Sequence, residues 1–177
     1  VVRAFDPCIS CSVHMAEVKR APQDDWKKRL GEVLAAAPVF IGVGREARSD
    51  DQVGLRLAGE LRAAGLKDVF IETDIEDDHI LEANAHRPLI FLDIVQMGEQ
   101  PGKIALLPLQ HVFWNSVLSH RLPPSVSNRL TYNQIKNSYL LGIQPQSIEE
   151  GASISEPVLR AIEKILDEIR NSIARRV

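Results

Sequence analysis

The chain has 177 residues, 45% apolar and 25% charged, with 21 basic and 24 acidic side chains and a formal net charge of −3. That length suits one domain of ordinary size, which buries roughly 70% of the surface its unfolded chain exposes. The charge balance argues against nucleic acid as the main partner, since phosphate binding needs clustered Lys and Arg; no apolar run approaches the ~20 residues that span a bilayer; and Val1 to Pro7 do not read as a secretion signal, so the cytoplasm is the expected compartment.

Residues 1–20 do not read as a folding unit. They carry both cysteines, Cys8 and Cys11, and end on Lys19-Arg20. A single CxxC pair is not a disulfide framework; it reads as a metal or redox pair. The domain is expected over residues 21–177. Asp24-Asp25 followed by Trp26, Leu30, Val33 and Leu34 at helical spacing predicts a helix. Val39 to Gly44 is a short apolar run ending in glycines, the pattern of a buried strand and a turn. Val53, Leu55, Leu57, Ala58 and Leu61 predict a helix that Gly65 ends. Val69-Phe70-Ile71 is a second strand, with a helix around 77–86. Pro88 to Val95 is continuous and apolar, as expected of a strand covered on both faces. Lys103 to Leu107 is a fourth strand, 109–118 a helix, and Tyr139 to Ile143 a fifth strand, with the stretch between them read as loop. Apolar residues from Val158 to Ile173 recur on one face of a last helix opened by Ser155-Glu156-Pro157. Alternating strands and helices predict an α/β three-layer sandwich: a twisted, mostly parallel five-stranded sheet with helices on both faces.

In open α/β sheets, ligands bind beyond the carboxyl ends of the strands. That rule selects Asp50-Asp51 after the first strand, Asp93 near the end of the third, and His120 in the loop before the fifth. Carboxylates with an imidazole suit a divalent first-row cation. Each has a plainer reading. Asp50-Asp51 would cap the following helix, where carboxylates favour the N-terminal dipole. Asp93 would accept N–H groups at a strand end, and His120 would be a surface or packing histidine. The GxG at 42–44 does not extend to a dinucleotide fingerprint, because Ala47 stands where the third glycine would fall.

Three segments, in order, resemble the nickel-dependent endopeptidases that mature NiFe hydrogenases, most closely the formate-hydrogenlyase type. They are Gly42-Val43-Gly44 with Ser49-Asp50-Asp51-Gln52-Val53-Gly54; Leu89-Ile90-Phe91-Leu92-Asp93 with Met97-Gly98 and Pro101-Gly102-Lys103-Ile104; and Ser119-His120-Arg121-Leu122-Pro123 with Leu141-Gly142-Ile143-Gln144-Pro145. The resemblance implies a hydrolase in which Asp51, Asp93 and His120 are both the metal ligands and the catalytic residues. It implies nickel as the ion, delivered by the substrate, with other divalent metals able to substitute. The chain departs from the family at Arg45, where Asn is usual. It departs again at Glu72 to Asp77, where the family has a Gly-Gly pair after its second strand.

Asp6-Pro7-Cys8-Ile9-Ser10-Cys11-Ser12-Val13-His14 resembles the DPCxxCxxH end of a NiFe hydrogenase large subunit. That likeness implies a substrate tail (Cys8, Cys11, His14, Met15) fused ahead of the protease, with His14–Met15 as the bond to be cut. The implied partner is a large-subunit precursor or its C-terminal tail, with no nucleic acid and no membrane. A second reading is an inactive protease-like module that holds or chaperones the tail. Arg45 and the missing Gly-Gly pair favour it.

Overall fold

A computed structural model describes residues 25–76, 78–114 and 124–175. Five strands form one sheet: β1 (Val39–Gly42), β2 (Val69–Ile71), β3 (Leu89–Ile94), β4 (Ile104–Pro108) and β5 (Ser138–Ile143). Their order is β2-β1-β3-β5-β4. The β1–β2, β1–β3 and β3–β5 pairs are parallel; β4 alone of the five runs antiparallel, against β5. The expected three-layer sandwich is thus the one formed. β3 lies at its centre and is buried at all six positions, which is why its sequence is continuously apolar rather than alternating.

Seven helices are described: α1 (Trp26–Leu34), α2 (Val53–Ala63), α3 (Asp78–Ala83), α4 (Leu109–Trp114), α5 (Pro124–Ser127), α6 (Tyr132–Lys136) and α7 (Glu156–Ala174). Strand side chains alternate between the two faces. Phe40, Ile90, Leu92, Leu141 and Ile143 pack under α1, α2 and α7. Val39, Ile41, Leu89, Phe91 and Leu140 pack under α3 to α6. By the same alternation Asp93 shares the second face with Leu89 and Phe91.

The helix expected around 77–86 is shorter, because residues 72–76 form a 3-10 turn first. The stretch before β5, read as loop, contains α5 and α6. A capping box opens α6: the Thr131 side chain accepts from Gln134 N–H, and the Gln134 side chain accepts from Thr131 N–H. Thr-x-x-Gln is a helix-start signature that the sequence displays. Gln134 also crosses to α3, donating from Nε2 to the Leu81 carbonyl at 3.0 Å. Among the described residues no helix is long and apolar enough to cross a membrane.

Candidate functional site

Three parallel strands, β2, β1 and β3, end side by side, and an acid follows or closes each. Asp51 lies in a 3-10 turn, Ser49–Gln52, between β1 and α2. Asp93 is the fifth residue of β3. Glu72 follows β2 directly.

The path to Asp51 is dictated by close backbone approach. Gly44 has φ +144°, and a Cβ there would stand 2.0 Å from the Asp51 carbonyl oxygen. The loop folds back at that point, and Arg45 N–H donates to that same carbonyl at 3.2 Å. Gly54, the second residue of α2, rests on the sheet: a Cβ would meet the Leu92 and Val43 carbonyl oxygens at 2.0 Å each. The GxG pair thus serves backbone packing, consistent with the missing third glycine.

Asp51 is 7% exposed, and no side-chain hydrogen bond to it is formed among the described residues. Asp93 is 6% exposed and accepts one bond, from Ile94 N–H to Oδ1 at 2.7 Å. The strand-end reading of Asp93 is therefore right for one oxygen and says nothing of the other. Burial pushes the Asp93 carboxyl up to about 8; the Ile94 N–H works against this, and the negative charges of Asp51 and then Glu72 add to it. Opposite Asp93 on β5 stands Gly142, where a Cβ would fall 2.4 Å from Val95 Cγ2, so the Val95 side chain fills that space.

Two buried carboxylates so placed, with the charge of Asp51 adding to the upward push of burial on Asp93, are an arrangement a cation would relieve. Their donors are hard oxygens, which fit a divalent ion. Among the described residues no group of three His, Cys, Asp or Glu side chains is close enough to hold one. His120, the expected third ligand, lies outside the described residues, as do Cys8, Cys11, His14 and Met15.

The helix-capping reading does not hold for Asp50. No side chain caps α2 at Gln52. The Asp50 carboxylate turns instead to the segment before α7, accepting from Gln146 N–H at 2.7 Å and Ser155 N–H at 2.7 Å. Glu72 is an acid of this edge that sequence reasoning does not select. The signal available is its place directly after β2, beside the other two acids.

A family model described as hydrogenase maturation protease (HycI) matches residues 76–172, more than half of the chain. Solved structures share the fold. The NiFe hydrogenase maturation protease HycI from Thermococcus kodakarensis has a TM-score of 0.65 at 20% identity, over 82% of this chain and 99% of that one. The endopeptidase HycI from Escherichia coli gives 0.58 at 22% identity, over 73% and 86%. The hydrogenase-maturating endopeptidase HybD from Escherichia coli gives 0.53 at 22% identity, over 76% and 93%. A search of curated proteins gives no match.

Proposed function

We propose a substrate and a chemistry from one premise: the chain belongs to the hydrogenase maturation protease family, whose members are endopeptidases. The substrate is a NiFe hydrogenase large-subunit precursor, or its C-terminal tail, cut after the histidine of a DPCxxCxxH motif. In this chain the corresponding bond is His14–Met15. The observation that supports this most is a pair of buried acids: Asp51, with no side-chain hydrogen bond among the described residues, and Asp93, with one.

Nickel arrives as part of the substrate. Asp51, Asp93 and His120 would hold it, and other divalent metals would substitute. The ion would polarise the scissile carbonyl or activate a water. Water oxygen bonds to the carbonyl carbon, the C–N bond breaks, and the new amine takes a proton.

Because nickel contributes to binding, only nickel-loaded precursor should be cut. Mixing the purified chain with loaded and nickel-free precursor and weighing the products tests this. Cleavage of the loaded form alone is expected, slower by at least about a hundredfold in Asp93→Ala. Cleavage of nickel-free precursor by Asp93→Ala at the wild-type rate would refute the reading. The inactive-tether alternative predicts that the chain keeps residues 1–14 even when nickel is supplied.

Cation binding should also release a proton. With the Asp93 carboxyl at about 8, it is largely protonated at pH 7, and ligands bind as the deprotonated form. Calorimetry with free Ni²⁺ or Cd²⁺ in two buffers of different ionisation enthalpy should report about one proton released at pH 7 and about none at pH 9.5. Binding with no proton released at pH 7 would remove Asp93 from the ligand set.

A further inference from the structure

Twelve residues, 144–155, separate β5 from α7, roughly twice the length such connections usually need. They do not wander over the surface. At one end lies Gln144, 3% exposed. Its Oε1 accepts from Met97 N–H at 2.7 Å and Glu99 N–H at 3.3 Å, and its Nε2 donates to Gln96 Oε1 at 2.9 Å. Gln144 therefore closes the loop that leaves β3 just beyond Asp93.

The rest of the segment grips the loop that carries Asp51. Asp50 is 0% exposed. Its Oδ2 accepts from Gln146 N–H at 2.7 Å, Ser147 N–H at 3.0 Å and Ser155 Oγ–H at 3.0 Å. Its Oδ1 accepts from Ser155 N–H at 2.7 Å. A fully buried carboxylate is costly unless so compensated, and charge-assisted bonds are the strong kind. The backbone adds to the grip: Gly151 N–H donates to the Ala47 carbonyl at 2.9 Å, and Asp50 N–H to that of Ser147 at 3.3 Å. Ser49 Oγ donates to the Ser153 carbonyl at 3.0 Å. One segment is thus bonded to both acid-bearing loops, which are otherwise 42 positions apart in sequence between Asp51 and Asp93.

We infer that residues 144–155 form a strap that fixes the separation of Asp51 and Asp93, with Asp50 and Gln144 as positioning residues. The inference rests on the proposed function only in taking those two acids as the reacting centre. Asp50 itself touches neither substrate nor cation. It acts by holding the turn in which Asp51 sits.

The test is amide hydrogen exchange on the full chain, joined to precursor kinetics, for Asp50→Asn and Gln144→Leu. Asn cannot accept at both positions where the carboxylate does, so the strap should loosen. Exchange of the Asp51 amide should rise about tenfold or more in Asp50→Asn, and that of the Met97 amide in Gln144→Leu, while Leu92 and Leu141 in the sheet stay within about threefold. Cleavage should lose kcat/KM, because Asp51 and Asp93 would both grip the substrate's nickel and serve its chemistry. An unchanged Asp51 amide, or sheet amides that loosen equally, would overturn the strap and leave Asp50 a general stabiliser. If Asp50→Asn does not fold, Ser155→Ala removes one of its four bonds and carries the same test, with a severalfold rise expected at Asp51. A wild-type chain that cuts no precursor would refute the proposed function, and the exchange comparison would still decide the strap.

Discussion

Replacing Asp93 with Asn should stabilise the cation-free protein at pH 7 and abolish its peptidase activity. In the folded chain burial raises this carboxyl from 3.8 to about 8. Between those values the unfolded chain is ionised at this residue and the folded chain holds a proton. The unfolded state then binds fewer protons, so stability falls as pH rises from about 4 to about 8 and levels off above. By pH 7 the loss is on the order of 4 kcal/mol. Asn keeps the oxygen that accepts from Ile94 N–H and never ionises, so it should recover most of that amount. Urea unfolding of both proteins at pH 5 and pH 8 measures it: the wild type should weaken relative to Asp93→Asn as pH rises. Parallel pH profiles would mean that Asp93 is not held protonated. Asp68, held below the usual carboxylate range by its hydrogen bond to Arg87, works in the opposite sense and only as pH falls toward its low value, so the two windows are separable. A residue whose removal stabilises the fold and ends the reaction is one kept for chemistry.

Gly54→Ala is expected to have the largest effect on the fold. The added Cβ would lie 2.0 Å from two carbonyl oxygens, those of Leu92 and Val43. Both belong to the backbone of the central strands or their immediate continuation, and neither can swing away. The first turn of α2 must lift, carrying the Asp51 turn with it. A cost above about 3 kcal/mol is expected, as for strong overpacking, with the melting temperature lower by about 10 °C. Gly59 supplies the control. It lies in the same helix, and a Cβ added there would meet nothing within 4 Å, so Gly59→Ala should be neutral or stabilising by up to about 1 kcal/mol. Equal melting temperatures for the two variants would contradict the close seating of α2 on the sheet.

Much of the fold and part of the site are legible in the sequence because the signals are local. The apolar run around Asp93, the glycines at 42 and 44, and the amphipathic spacing of α7 each lie within a few residues of what they specify. So does the acid at the end of each of two strands. The small helices before β5 are harder to read: α5 spans Pro124–Ser127 and α6 Tyr132–Lys136, too short for apolar periodicity to mark. Only the Thr131–Gln134 capping box identifies α6. The role of Asp50 is not legible at all. Its partners are 96 to 105 positions away, and beside Asp51, ahead of an apolar run, it has the pattern of a helix cap. Glu72 is hidden by its surroundings, one acid among several in the run from Glu72 to Asp78.

In the proposed function Asp51, Asp93 and His120 act as one site on a nickel-bearing tail, and His120 is the member that lies outside the described residues. Cleavage of nickel-loaded precursor by His120→Ala, measured beside Asp51→Ala and Asp93→Ala, is therefore the most direct test. Single-site losses of at least about a hundredfold in all three, together with a double variant scarcely worse than either single one, are predicted for groups that act as a unit. A His120→Ala chain that cuts at the wild-type rate would contradict the three-residue site.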